Sequence, residues 1–527
     1  MYKVLVTDNI SDLGLATLIE APEVQVVKKT GLTLDELLLE VEDADALLVR
    51  SQTQVTAEVL EKAHKLRVIG RAGVGVDNID IEAATKRGII VMNAPDGNTI
   101  STAEHTFAML ISLSRNIPQA YRSTVNGEWK RKEYVGVELN GKTLSIIGLG
   151  RIGAELAQKA KAFRMNIVAF DPYLTLDRAE ELGVQKASFE DAIRAGDFIS
   201  VHTPLTKQTR HLINSDVFHQ MKDGVRILNC ARGGIIDEHA LVGAIQSGKV
   251  AGAALDVFEQ EPPAPDHPLF VLPQVIVTPH LGASTIEAQE NVAIDVAEEV
   301  LHVLKDKPFK NAVNLPSLSA ELQKKIGPYL PLVEKLGKFS SQLATGAVQR
   351  MVISYGGEIA DLEVSALTRA LLSGVLSQHL DGINQVNAPH VAKNRGIEVL
   401  EQKASASHGF TQLITVDITT SRGNTSVAGT LLNGFGARIT KVNGYSVDVV
   451  PEGHILHITH QDQPGVVGKV GTILGNDKVN IATMQVGRET IGGQAIMLLG
   501  IDKGIDDAAL ANLRECGVVN GVQVIEL

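Results

Sequence analysis

Over its first 280 residues the chain alternates short β-branched runs with helical patterns, twice in succession, and that rhythm admits few folds. The first series of runs is Lys3–Val6, Val24–Val27, Ala46–Val49, Arg67–Ile69 and Ile89–Val91, with helical patterns near 11–20, 33–40, 56–62 and 81–87 between them. Strands alternating with helices pair in parallel, because each helix carries the chain back over one face of the sheet. A break at Asn93-Ala94-Pro95-Asp96-Gly97 closes this series, and a helix is predicted from about Asn98 to Ile117, ending before Pro118. The second series is Thr143–Ile147, Ile167–Phe170, Phe198–Val201, Val225–Asn229, Gly252–Leu255 and Val275–Val277, six strands that suffice for a Rossmann sheet. The amphipathic pattern at 284–304 predicts a long helix that returns the chain to the first sheet. The first domain is then discontinuous, with the second inserted into it.

Within the second series, Gly148-Leu149-Gly150-Arg151-Ile152-Gly153 follows a strand and opens a helix. That is the placement a dinucleotide turn needs: glycines for the tight bend and close backbone approach, then a helix N-terminus for the pyrophosphate. Asp171 ends the next strand. A carboxylate there accepts hydrogen bonds from the adenosine ribose diol and repels a 2′-phosphate, so the expected cofactor is NAD. A second glycine cluster, Gly70-Arg71-Ala72-Gly73-Val74-Gly75, has the wrong order for such a turn and reads as a backbone loop facing the interdomain cleft.

Three strings lie at the C-terminal ends of later strands in this sheet: Asn229-Cys230-Ala231-Arg232-Gly233-Gly234, Asp256-Val257-Phe258-Glu259-Gln260-Glu261-Pro262 and Thr278-Pro279-His280-Leu281-Gly282. These ends border the ligand crevice of an open α/β sheet, so Arg232, Glu261 and His280 converge there. The trio suits oxidation of a 2-hydroxy acid. His280 accepts the hydroxyl proton, Glu261 orients its ring, and Arg232 holds the carboxylate and polarises the forming carbonyl. Cys230 precedes Ala231-Arg232 but has no base left to activate it, and reads as a small buried residue.

Composition excludes several other classes. Forty-nine basic against sixty-one acidic residues give a net charge of −12, which argues against nucleic acid or an anionic membrane as the main partner. No apolar run approaches the roughly 18 residues of a membrane span, and the start MYKVLVTDNI lacks the pattern of a secretory signal. Two cysteines, Cys230 and Cys516, make neither a disulfide framework nor a cysteine zinc site. The expectation is a cytoplasmic protein without a structural metal.

The strings RAGVGVDNID (71–80), NGKTLSIIGLGRIG (140–153), HTPLT (202–206), NCARGG (229–234), LDVFEQEP (255–262) and TPHLGAST (278–285) resemble the D-isomer-specific 2-hydroxyacid dehydrogenases, and among them the long-form phosphoglycerate dehydrogenases. The resemblance implies catalytic roles for Arg232, Glu261 and His280. It adds Thr203, Pro204, Ala231, Asp256 and Gly282 to the cofactor contacts made by Gly148, Gly150, Arg151, Ile152, Gly153 and Asp171. It implies substrate contacts at Arg50, Ser51, Arg71, Gly73 and Val74, with a basic loop around Arg131 and Lys132 over the phosphate. The implied reaction is NAD-dependent oxidation of 3-phospho-D-glycerate to 3-phosphohydroxypyruvate, the first step of L-serine synthesis. Another D-2-hydroxy acid, such as 2-hydroxyglutarate, is the alternative substrate. A cofactor-sensing, corepressor-like binding protein on the same scaffold is the remote one.

Beyond Asn314-Leu315-Pro316-Ser317, read as a linker, GTLLNGFGARITKVNGYSVDVVPEG (429–453) resembles the intervening domain of the long-form enzymes. The pattern between 320 and 450 is looser: a helix near 327–344, strands near 349–355 and 413–418, and a glycine-rich stretch at 423–444. The tail HITHQDQPGVVGKVGTILGNDKVNIATMQVGR (457–488) resembles an ACT domain, and its strand–helix order is the βαββαβ of ferredoxin-like folds. The expected architecture is therefore α/β: a discontinuous flavodoxin-like substrate domain (1–97 and 285–315), an inserted Rossmann NAD domain (98–284), an α+β intervening domain (316–450) and a ferredoxin-like ACT domain (451–527). The resemblance implies a homo-oligomer, often a tetramer. It implies L-serine as effector at His460, Asp462 and Asn480, although Asp462 stands where serine-controlled members often carry Asn.

Overall fold

The computed structural model describes residues 1–316, 318–404 and 409–527, so of the expected linker only Ser317 lies outside the described residues. Its first sheet is wholly parallel, in the spatial order Val24–Lys28, Tyr2–Val6, Ala46–Val49, Val68–Arg71, Ile90–Asn93. This is the 2-1-3-4-5 order of flavodoxin-like folds. Both faces of such a sheet are covered, which is why Ala46–Val49 is apolar and buried at every position. One face packs on Leu37, Val59, Leu60 and Ala84. The other packs on Val292, Val296 and Val300 of the helix Ile286–Leu304, which meet Val4, Leu48, Val68 and Met92. That helix starts where it does because the Thr285 hydroxyl accepts the Ala288 N–H at 3.1 Å. After it, Ala312 bridges Met92, and the Val313 N–H donates to the Val91 carbonyl at 2.7 Å. The chain thus leaves the first sheet at Asn93 and returns to it after the whole second sheet is built.

The second sheet is also parallel, in the order Val275–Val277, Val250–Leu255, Val225–Asn229, Phe198–Val201, Thr143–Ile147, Asn166–Phe170, Gln185–Lys186. It has seven strands where the sequence predicts six. The extra edge strand is two exposed polar residues paired with Val168 and Ala169, so no apolar run announces it. The helix Thr99–Arg115 joins the two sheets and stops at Asn116, whose φ is 53°. Pro118 does not simply follow the helix end. It sits in the first turn of a second helix, Ile117–Val125, where its missing N–H costs nothing.

In the C-terminal half a six-stranded sheet runs in the order Glu398–Ala404, Val348–Gly357, Gln412–Thr420, Gly423–Leu432, Gly436–Val442, Tyr445–Val449. Only its first pair is parallel. The glycine-rich stretch is thus two antiparallel strands and the turn into a third, because glycines with positive φ (Gly434 and Gly444 at 77° and 95°) supply the turns. Helices Leu330–Leu343 and Ser365–Leu376 cover this sheet.

The last sheet is antiparallel, in the order Ile481–Arg488, Gln494–Ile501, His454–Gln461, Val519–Glu526. Helices Val466–Asn476 and Asp507–Glu515 lie on one face. The opposite face presents Ile455, Ile496, Leu498 and Ile525 to the core of the preceding sheet, so these two units share one hydrophobic cluster. Among the described residues no helix is long and apolar enough to cross a membrane.

Candidate active site

A cleft of about 490 Å³ lies between the first and second sheets, where the strand ends of both meet. His280, Arg232, Ala231, Thr203, Pro204, Gly282, Val74, Gly150, Arg151 and Ile152 all border it. His280 Nδ1 lies 2.7 Å from Glu261 Oε2, and the other Glu261 oxygen accepts the Phe258 N–H at 3.1 Å. Burial raises the carboxyl's pKa, but the His280 contact and the Phe258 N–H outweigh it and hold Glu261 below the usual carboxylate range. Glu261 is therefore ionised at neutral pH, and it fixes the ring so that His280 Nε2 is the nitrogen left for a substrate. His280 itself has φ 56°, a conformation costly for a residue with a side chain.

That conformation is held from behind by Asp256. Its main-chain carbonyl accepts the His280 N–H at 2.9 Å, and its buried carboxylate accepts the Leu281 and Gly282 N–H groups at 2.7 and 2.9 Å. The Thr278 hydroxyl and His105 Nε2 complete the carboxylate's partners, at 2.5 and 3.2 Å. Asp256, expected among the cofactor contacts, does not border the cleft; its oxygens are spent on the 278–282 turn. His105 was not singled out from the sequence. A histidine inside a helical pattern carries no signal until the turn it faces is in place.

The cofactor side fits a dinucleotide. Gly148 bends the chain at φ 97°, and a Cβ on Gly153 would come within 2.3 Å of the Gly148 carbonyl oxygen, so the helix can start this close to the strand only with glycine there. A Cβ on Gly150 would meet nothing within 4 Å, and the helix Arg151–Ala162 has no side chain capping its N-terminus. The first N–H groups are thus left for a pyrophosphate. The buried Thr203 hydroxyl has no partner among the described residues, an acceptor or donor waiting at the cleft wall. Asp171 accepts the Leu149 and Tyr173 N–H groups at 2.9 and 2.8 Å, which ties the end of the second strand to the glycine turn. Arg151 pairs with Asp96 at 2.5 Å across the domain boundary. Cys230 is buried at the cleft's base, and burial with the nearby Asp256 charge pushes its thiol up to about 12, so it is no nucleophile.

On the other side of the site Arg71 lies within reach of the charges of Arg232 and Arg50. Burial, then the neighbouring Arg232 charge, lower Arg71 to about 10, with Asp77 opposing and Arg50 adding to the effect. Arg71 still carries its charge at neutral pH, and the crowding is relieved by an anion. Glycine makes the crowding possible: a Cβ on Gly73 would lie 1.9 Å from Arg71 Nη1, and one on Gly75 2.2 Å from Arg232 Nη2. Arg232 Nε lies 3.3 Å from Asp77 Oδ2, and Nη1 donates to the Ala231 carbonyl at 2.7 Å. Arg50 and Ser51 sit on a loop organised by buried Asp8, whose carboxylate accepts the Arg50 N–H at 2.5 Å and the Thr53 hydroxyl at 2.6 Å. The Asn78 amide donates to the Arg50 and Thr53 carbonyls from the other side. Asp8, Asp77 and Asn78 are further positioning groups; the latter two lie within the RAGVGVDNID string, but nothing in their spacing states what they hold. Arg131 is exposed on a turn, borders no part of the cleft and makes no ion pair among the described residues.

The three effector candidates are not brought together within one chain. His460 is buried, with Nδ1 2.8 Å from the Gln461 carbonyl oxygen. Asp462 accepts the Gly492 N–H and the Arg488 guanidinium, which together hold its carboxyl below the usual range. Asn480 donates to Asp502 at the opposite end of the sheet. By register Arg488 and His460 share one level, opposite Ala495, and Ile481 and His454 share another, opposite Ile501. Asn480 therefore stands about 20 Å from His460, some six strand residues away.

Comparison with known proteins agrees with this layout. Family profiles match the NAD binding domain of the D-isomer specific 2-hydroxyacid dehydrogenases over residues 107–282, the D-3-phosphoglycerate dehydrogenase intervening domain over 325–443 and the ACT domain over 454–518. D-3-phosphoglycerate dehydrogenase of Bacillus subtilis is 50% identical over 528 residues, covering 100% of both chains. That of Methanocaldococcus jannaschii is 46% identical over 529 residues, again covering 100% of each. Among solved structures, D-lactate dehydrogenase from Aquifex aeolicus, in complex with NAD and lactic acid, has a TM-score of 0.52 at 31% identity, spanning 57% of this chain and 96% of its own. A glyoxylate reductase from Paecilomyes thermophila has a TM-score of 0.55 at 30% identity over 59% of this chain and 98% of its own. The glycine turn and the full-length likeness coincide: the chain belongs to the D-3-phosphoglycerate dehydrogenase family of NAD-dependent D-isomer specific 2-hydroxyacid dehydrogenases.

Proposed function

We infer that this chain is an NAD-dependent enzyme oxidising 3-phospho-D-glycerate to 3-phosphohydroxypyruvate, the entry to L-serine synthesis. The observation that carries this reading is the Glu261-bound His280 bordering one cleft with Arg232 and the Gly150–Ile152 turn, with the Arg71 charge felt beside Arg232. Arg232 binds the substrate carboxylate and the developing carbonyl oxygen. Arg71 and Arg50 supply charge for the phosphate. His280 Nε2 takes the C2 hydroxyl proton, and the imidazolium so formed is stabilised by ionised Glu261 on Nδ1. Bound NAD supplies the acceptor for the C2 hydrogen and its electron pair. Gly150, Arg151, Ile152, Thr203 and Gly282 hold that cofactor, and Asp171 at the adjacent strand end favours NAD over its 2′-phosphorylated form. NADH formation from 3-phosphoglycerate and NAD, at mildly alkaline pH with a ketone trap, is the test. Absence of turnover, with activity on 2-hydroxyglutarate instead, rejects the substrate and keeps the chemistry.

For the C-terminal half we propose feedback by L-serine at a site shared by two subunits. Ile481–Arg488 is an edge strand with one paired side, and Val486 is 43% exposed on it. Antiparallel pairing with a second copy sets the start of one such strand beside the end of the other. The second copy's Asn480 then comes level with Arg488, which Asp462 binds. In the same assay millimolar L-serine is expected to depress turnover; indifference to serine would leave the ACT unit as an assembly device.

We also propose a homotetramer whose other contact is the arm around 117–135. Exposed Ile117, Tyr121 and Val125 recur every four residues along the helix Ile117–Val125, and exposed Trp129 and Val135 follow it. Tyr121→Lys with Trp129→Glu should lower the mass seen by light scattering from tetramer to dimer; an unchanged mass would rule this contact out. A cytoplasmic location fits the two free thiols, Cys230 and Cys516.

A further inference from the structure

The turn that presents His280 is addressed by one face of a single helix. Along Thr99–Arg115, residues Thr102, His105 and Met109 are spaced three and four apart and so share that face. The Thr102 hydroxyl donates to the Gly282 carbonyl at 3.2 Å. Met109 Sδ lies 4.0 Å from the Thr278 hydroxyl. His105 stands between them, its Nε2 3.2 Å from the Thr278 hydroxyl and 3.2 Å from Asp256 Oδ1. The residues contacted are the two ends of the 278–282 turn and the buried carboxylate that supports its middle.

We propose that His105 is a positioning residue for the oxidation, acting through Asp256 and Thr278 to hold His280 in its left-handed backbone conformation opposite Glu261. Asp256 Oδ1 already accepts from Thr278 and from the Leu281 N–H, so the third donor comes from His105, which must therefore be protonated at Nε2. Without it the carboxylate can turn toward other donors, and the N–H groups of Leu281 and Gly282 lose a fixed acceptor. The strain at His280 then relaxes, and its Nε2 moves off the line to the substrate hydroxyl. Among the causes that hold the Asp256 carboxyl below the usual range against the opposing effect of burial, the His105 contact is the first. The helix also connects the two domains, so whatever shifts one domain against the other passes beside the catalytic turn.

The proposal rests on the reading of His280 as the base, and its test is separable from that reading. In the full-length enzyme, His105→Leu is expected to lower kcat about ten- to a hundredfold while KM for the hydroxy acid stays within about twofold. The primary deuterium isotope effect on kcat with C2-deuterated substrate should rise, because the hydride step has slowed. His105→Gln, whose amide nitrogen reaches the place of Nε2, should recover most of kcat. His105→Asn, equally polar but one bond shorter, should not, and it replaces the leucine variant if that one fails to fold. A kcat within twofold of wild type in both the Leu and Asn variants would overturn the positioning role, as would a Gln variant no better than Asn. If the wild type turns over a different 2-hydroxy acid, the same comparison is run with that acid. If His280→Ala keeps full activity, the base assignment fails instead, and the His105 role falls with it.

Discussion

His280→Ala is expected to lower turnover by about two to four orders of magnitude, the usual worth of a positioned general base, while NAD binding stays close to wild type. The two effects separate because the groups proposed to hold the dinucleotide, Gly150, Arg151, Ile152, Thr203 and Gly282, are other residues of the same cleft. Loss of the ring leaves the Glu261 carboxylate without its principal partner, and burial then acts on that carboxyl unopposed except by the Phe258 N–H. Truncating a residue at φ 56° to alanine relieves no backbone strain, since alanine is at least as disfavoured there as histidine. The measurements are kcat with 3-phosphoglycerate and fluorescence titration with NADH. Undiminished turnover would remove His280 from the chemistry, and lost NADH affinity would mean that the substitution has collapsed the cleft.

Arg232→Ala should lower kcat/KM by about a hundred- to a thousandfold, because one side chain serves both the substrate carboxylate and the developing carbonyl oxygen. Arg232→Lys should recover little of it. A lysine restores the charge but not the planar fork, and the fork is aimed here by contacts to the Ala231 carbonyl and Asp77. The alanine variant also removes the nearest like charge from Arg71, so Arg71 should become a stronger base and phosphate binding should survive better than carboxylate recognition. Inhibition constants for inorganic phosphate and for a simple 2-hydroxy acid, measured in parallel, separate the two. A lysine variant with near wild-type kcat/KM would show that bidentate geometry is not used.

Much of the catalytic half was legible because parallel sheets leave a strong trace. Their strands are apolar on both faces, their turns are glycine-rich, and their functional residues cluster just past the strand ends. That rule carried Arg232, His280 and the Gly150–Ile152 part of the glycine turn to one cleft, with Glu261 reaching it through its contact to His280. Legibility fell where the trace weakens. Gln185–Lys186 is too short and polar to read as a strand, and the glycines of 423–444 break the alternation that would otherwise mark the antiparallel strands there. Asp256, which the resemblance implies as a cofactor contact, supports the His280 turn in the folded chain. A carboxylate's role depends on which donors surround it, and here a hydroxyl and two N–H groups arrive from residues 22 to 26 positions later in the chain.

The sequence by itself determined the two parallel sheets, the return of the chain to the first sheet, the ferredoxin-like tail and the strand ends at which Arg232, Glu261 and His280 stand, because periodicity and strand-end placement are local properties. Only the tertiary structure decided which groups hold them. Asp8 and Asn78 clamp the Arg50 loop, His105 stands behind Asp256, Arg71 and Arg232 are pressed together over Gly73 and Gly75, and Asn480 lies at the far end of its sheet from His460. The physical reason is that a hydrogen bond or a charge contact depends on distance in space, and sequence spacing constrains that distance only within a single helix, strand or turn.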